Sequence, residues 1–153
     1  MVPFDSYPSA GRALFTVKAK GSNCRWEYGL QLMKLTGQKT CAYCDVDFTT
    51  AYAVWLTMAL DHVVPSSICK ANNIPEDWAW DYSNTVLACG ACNGFCNRYK
   101  PSIPVGESLT LEGFYDLRDR IFEERKQKIK ARHLEERAFF ERNPWSVMDG
   151  PQQ

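Results

Sequence analysis

Net charge is what this sequence most clearly lacks: 18 lysines and arginines are matched by 18 aspartates and glutamates over 153 residues. Bulk positive charge is not there to grip nucleic acid, so any such role needs cations segregated along the chain. No apolar run approaches the ~18 residues of a membrane span, and no charged segment leads into an apolar one at the start of the chain. A membrane helix and a secretory leader are both unexpected, which points to the cytoplasm. Repeats and low-complexity tracts are absent, and histidine is scarce, with 2 residues. Cysteine is odd in number, at 7. In a reducing compartment, paired cysteines signal metal more often than disulfide.

What is present suffices for a packed chain, because 45% hydrophobic and 13% aromatic residues argue against wholesale disorder. The length fits one domain, which divides into an N-terminal arm and helix (1–39), a central core (40–100) and a C-terminal helical extension with a tail (101–153). Charge is segregated along it. Arg12, Lys18, Lys20, Arg25, Lys34 and Lys39 stand against only Asp5 and Glu27 near the N-terminus. In the core, Asp45, Asp47, Asp61, Glu76, Asp77 and Asp81 outweigh Lys70, Arg98 and Lys100.

The chemistry concentrates in the core. Cys41-Ala42-Tyr43-Cys44 and Cys89-Gly90-Ala91-Cys92 are two CxxC knuckles, each able to present both sulfurs to one side, so that four thiolates converge on one structural zinc. Between and after them lie Asp61-His62 and Asn93. These supply a hard carboxylate oxygen, an imidazole that takes a proton near neutral pH, and a neutral oxygen ligand, the set a metal-assisted hydrolase needs. Taken alone, His62 reads more readily as a hydrogen-bonded core histidine; its place after Asp61 at a strand end shifts the balance. Cys24, Cys69 and Cys96 read as buried spare thiols.

The pattern along the chain predicts an extended arm with a short strand at 13–19, and then an amphipathic helix over 23–35. That helix would bury Trp26, Leu30, Met33 and Leu35, with Ser22 or Asn23 as N-cap and Gly37 just past its end. The apolar run from Ala51 through Val64 predicts a buried two-strand hairpin that leaves His62 at a strand end. A polar loop follows, with Trp78, Trp80 and Tyr82 as a lid over the hairpin. Helix is expected around Cys89–Tyr99, where Asn97 rivals Asn93 as a metal ligand. The longest periodic segment, Leu111–Arg142, predicts a helix with a break near His133 and an apolar side of Phe114, Leu117, Ile121, Phe122, Ile129 and Phe139. Within it, Arg125, Lys126, Lys128, Lys130 and Arg132 form a basic run, which is either a solvated helix face or a contact to DNA phosphates, as are Arg98 and Lys100. Pro144-Trp145 anchors the tail.

The string Asp61-His62-Val63-Val64-Pro65, followed by Asn84-Thr85-Val86-Leu87-Ala88-Cys89-Gly90-Ala91-Cys92-Asn93, resembles the HNH (ββα-metal) endonucleases of the zinc-stabilised type. The resemblance implies an α+β fold with a small ββα-metal core. It implies that His62 is the general base, that Asp61 and Asn93 are ligands of a catalytic Mg²⁺ or Mn²⁺, and that Asn84 is the middle asparagine that fixes the loop and orients the base. Cys41, Cys44, Cys89 and Cys92 correspond to the structural zinc ligands. The implied activity is hydrolysis of phosphodiester bonds in double-stranded DNA, with restriction, defence or element mobility as settings and dimerisation through the C-terminal helix as an expectation. One position departs: where such proteins often carry Lys or Arg three residues after the last asparagine, this chain has Cys96. The contrasting reading is a non-catalytic four-cysteine zinc module that binds nucleic acid or protein.

Overall fold

The computed structural model describes residues 3–7, 25, 27–95, 99–102, 105 and 109–142. The expected strand at 13–19, the N-caps Ser22 and Asn23, Trp26, Cys24, Cys96, Asn97, Arg98 and the tail from 143 lie outside them. Eight named elements follow in order: α1 (Tyr28–Thr36), α2 (Tyr52–Trp55), β1 (Met58–His62), α3 (Ser66–Ala71), α4 (Glu76–Ala79), β2 (Thr85–Cys89), α5 (Gly90–Phe95) and α6 (Leu111–Arg142). The chain is thus mixed α+β, with a two-stranded antiparallel sheet and a long C-terminal helix.

The helix α1 stops at Gly37, which takes φ +71° while its N–H bonds to the Met33 carbonyl at 2.9 Å. A side chain there would be strained, so glycine ends the helix for a backbone reason. The buried face is Gly29 and Leu32, with Met33 half-buried, whereas Leu30 and Leu35 are exposed. The predicted face was therefore out of phase by about a residue. Positions 29, 32 and 33 are the i, i+3, i+4 set that meets the two strands.

The hairpin expected over residues 51–64 is replaced by a single helical turn, α2, followed by β1, and the partner of β1 comes from far along the chain. Met58 pairs with Cys89, Leu60 with Leu87 and His62 with Thr85. Every residue of β2 is buried, so its sequence shows a continuous apolar run instead of the alternation of a one-sided strand. The helix foreseen around Cys89–Tyr99 therefore begins later, at Gly90, because Cys89 still belongs to the strand. The supposed loop after Pro65 holds two short helices, α3 and α4, each entered by a proline with φ near −55°. Proline suits that entry, since its fixed φ is close to helical.

No break occurs near His133: α6 runs unbroken for 32 residues. Its side toward the body carries Phe114, Arg118, Phe122, Arg125, Ile129 and His133 at steps of three or four, and the first five of these are buried. Phe122 stacks on Tyr43 of the first knuckle, with ring centres 5.3 Å apart, and meets Phe4 edge-on at 5.6 Å. Arg118 lies over the Phe4 ring at 3.8 Å and donates to the Ser83 carbonyl at 2.8 Å. Phe139, expected on the apolar side, is half-exposed, as Leu134 and Phe140 are. Among the described residues, no helix is long and apolar enough to cross a membrane.

Candidate functional site

The first knuckle is built by local hydrogen bonds. The Asp45 N–H returns to the Cys41 carbonyl at 3.0 Å with Asp45 at φ 60°, and Thr40 then bridges to Asp47. The Ala42 N–H donates to the Leu87 carbonyl at 2.9 Å, which fastens this knuckle to β2. The second knuckle needs no turn of its own, because Cys89 ends β2 and Cys92 lies one turn into α5. All four sulfurs consequently fall within 4.8 Å of one another. The Sγ atoms of Cys44 and Cys89 are 3.8 Å apart. That is too long for a disulfide, yet it is the edge of a tetrahedron with Zn–S bonds of about 2.3 Å, ~3.8 Å.

Crowding sends these thiols in opposite directions. Cys41 is pushed up to about 12, led by the hydrogen bond it shares with Cys89, and Cys92 is pushed up by its bonds to Cys41 and Cys89. Cys89 is held far down as the acceptor of bonds from Cys41 and Cys92. Sulfurs this close cannot all ionise unless a cation sits among them, and a soft divalent ion supplies that charge. The four cysteines can therefore hold a metal such as zinc. Cys69, a spare thiol, is buried as expected, and burial raises it to about 11.

A second constellation lies at the end of β1. Asp61, His62, Asn93, Tyr99, Lys100 and Arg125 line a cleft of about 570 Å³ with Pro65, Ser66 and Ser67. Asp61 and His62 face it from β1 and Asn93 from α5, so three of the predicted catalytic residues do share one site. The fourth, Asn84, is fully buried beneath it. Its Oδ1 accepts from the Val64 N–H at 3.0 Å, and its Nδ2 donates to the carbonyls of Val64 at 3.0 Å and Ala79 at 2.9 Å. Asn84 thus holds the segment just after His62 and leaves the imidazole untouched. Asn84→Ala strands three buried polar groups and is expected to cost about 3 kcal/mol in urea unfolding. Asn84→Asp, which cannot donate, should fare little better; a loss below ~1 kcal/mol in both would remove this role.

Burial is the main force holding the His62 imidazole below its ordinary value of 6.5; Asp61 and the Ala79 carbonyl oppose it and Arg125 assists it. Nδ1 is buried without a hydrogen-bond partner among the described residues. Trp80 meets the ring edge-on at 4.7 Å, so part of the expected aromatic lid sits on His62 itself. Trp78 instead packs against Phe114 of α6, 5.6 Å away.

Two residues unforeseen in these roles hold the Asp61 carboxylate. Arg125, 2% exposed, donates from Nη1 to the carbonyls of His62 and Val63, both at 2.9 Å, and pairs through Nη2 with Asp61 Oδ2 at 2.7 Å. The Tyr43 hydroxyl donates to the same Oδ2 at 2.7 Å. Of the basic run, Arg125 therefore points inward and is no surface phosphate contact. Lys128 pairs with Glu124, Arg132 pairs with Glu135 and Glu136, and Lys126 lies half-buried over Phe122. Lys130 is exposed, and Lys100 stands at the cleft rim. This distribution favours the solvated-face reading of the run. The available signal for Arg125 was its position, a cation in step with Phe114, Phe122 and Ile129 on the helix.

In comparison with known proteins, no family model, no curated protein and no solved structure matches the chain. Its class rests on the molecule itself, a mixed α+β chain with a four-cysteine cluster that can bind a metal ion such as zinc.

Proposed function

We propose that the chain is a divalent-metal-dependent endonuclease of the HNH type, hydrolysing phosphodiester bonds in duplex DNA. One observation carries this reading: Asp61 and His62, adjacent at the end of β1, and Asn93, about thirty residues further on in α5, line a single cleft beside the four-cysteine cluster. In this reading His62 takes the proton from the attacking water, and Asn84 keeps the His62–Val64 segment in place. Asp61, through Oδ1, and Asn93 would hold the Mg²⁺ or Mn²⁺ ion, whose charge stabilises negative charge developing on the phosphate and the leaving 3′ oxygen. Zinc at the four cysteines is structural. Lys100, at the rim of the cleft, is the cation best placed for phosphate contact.

The second reading, a non-catalytic zinc module, draws on the Arg125–Asp61 ion pair. A carboxylate already neutralised by a buried guanidinium attracts a second cation less strongly. A plasmid-nicking assay on zinc-loaded protein, with and without Mn²⁺ or Mg²⁺, separates the two. The nuclease predicts metal-dependent nicks, with a ~10²-fold or greater loss in His62→Ala. It also predicts an acid limb below pH 6.5, because burial keeps the ring neutral and able to accept a proton under its ordinary value. Intact plasmid that nonetheless shifts on a gel favours the binding module.

A further inference from the structure

The imidazole of His133, the other histidine of the chain, lies at the metal cluster instead of the cleft. Its Nε2 is 3.0 Å from Cys92 Sγ. We propose that His133 is the outer hydrogen-bond donor to the metal-bound Cys92 thiolate, so that α6 closes the zinc site from outside. This rests on the four cysteines holding zinc and extends that reading to a helix far along the chain.

Four thiolates around one divalent ion leave an excess of negative charge, which N–H donors directed at the sulfurs offset. Among the described residues, the backbone N–H of Cys89 reaches Cys41 Sγ at 3.3 Å, and that of Cys92 reaches Cys89 Sγ at 3.5 Å. The nitrogen that reaches Cys92 is the one on α6. The mutually close set of ligand atoms is the four sulfurs alone, which makes His133 an outer partner of the site and not a fifth ligand. Its ring also meets Phe95 of α5, edge-on at 5.1 Å and 77°.

Position on the helix reinforces the argument. His133 is the next step after Arg125 and Ile129 on the inward stripe of α6. The apolar residues around it, Leu134 and Phe140, are exposed, so apolar packing gives this end of the helix little hold. Tyr43, Cys44 and His133 share the wall of a hollow of about 860 Å³ that is open to solvent beside the cluster. Lys130 and Arg137 line the same hollow, but among the described residues the side-chain nitrogen within hydrogen-bond distance of the Cys92 sulfur is that of His133.

The test uses the full chain loaded with zinc, comparing wild type with His133→Ala, His133→Phe and His133→Gln. Zinc affinity is read by competition with a chromophoric chelator, and the thiolate-to-metal charge-transfer band is read after Co²⁺ substitution. Ala and Phe are expected to weaken zinc binding ~10-fold or more and to move the band to lower energy. Gln places an N–H near the Nε2 position and should stay within about threefold of wild type. Phe keeps the ring against Phe95 and loses the donor, so wild-type behaviour in Phe, or in Ala, overturns the proposal. If Ala fails to fold, the Phe–Gln pair still decides. Wild type that binds no stoichiometric zinc overturns the metal reading itself, which metal analysis distinguishes from failure of the His133 contact alone.

Discussion

Removing zinc from the wild-type protein, or replacing Cys89 by alanine, is expected to lower the melting temperature by ~10 °C or more. Loss of a structural metal belongs to the small set of changes that cost ~4 kcal/mol or more, and in a chain of this length each kcal/mol moves the transition by about 2–4 °C. The elements around the cluster explain the size of the effect. β1 and β2 have five residues each and α5 has six, lengths that are not stable on their own. Cys89 ends one of them, Cys92 lies in the next, and the first knuckle is tied to β2 by the Ala42–Leu87 hydrogen bond and by the Cys89 N–H to Cys41 Sγ. With the metal gone, the thiols would have to share protons at distances where only some can ionise, and the attraction that gathers them becomes mutual repulsion or a weak hydrogen bond. Cys69→Ala is the control, because it removes a buried thiol outside the cluster and is expected to cost ~1 kcal/mol. An unchanged melting temperature after complete zinc removal would falsify the structural assignment.

Arg125→Met is expected to destabilise the chain by about 3–5 kcal/mol, since it leaves the Asp61 carboxylate buried with the Tyr43 hydroxyl as its remaining described partner. Asp61 is 7% exposed and Arg125 2%, so solvent screens the lost guanidinium poorly. The same change frees the His62 and Val63 carbonyls, which lie where β1 runs into Pro65 and depend on Nη1. Arg125→Lys should recover only part of the loss, because one ammonium cannot reproduce a planar fork that serves a carboxylate and two carbonyls together. The double variant Asp61→Asn/Arg125→Met is the informative one. With charge removed on both sides, the penalty of an unpaired buried ion disappears, and stability should recover by more than half the single-variant loss. Denaturant unfolding measures all three, and an Arg125→Met protein within ~1 kcal/mol of wild type would mean the pair is not what holds α6 to β1.

The sequence by itself determined the parts of the molecule that depend on short spacing and residue chemistry. Two CxxC knuckles specify their own local geometry, so the four metal ligands were legible before any fold was known. Gly37 announced the end of α1 because only glycine takes that backbone conformation without strain, and the period of Leu111–Arg142 announced a long helix. His62 at a strand end, in reach of Asp61, followed from the apolar run that precedes them.

Tertiary structure alone decided what those parts meet. The partner of β1 is β2, some twenty residues away; no local pattern distinguishes that pairing from a hairpin, because both use the same apolar run. The phase of α1 is set by the strands, which select Leu32 although Leu30 and Leu35 look like core residues in the sequence. Arg125 and His133 are the sharpest cases. In a run of cations Arg125 reads as a surface residue, and His133 reads as the place of a helix break; only the docking of α6 turns one onto Asp61 and the other onto Cys92. A buried charge is tolerable only where its partner waits, and the partner's position is a property of the whole fold.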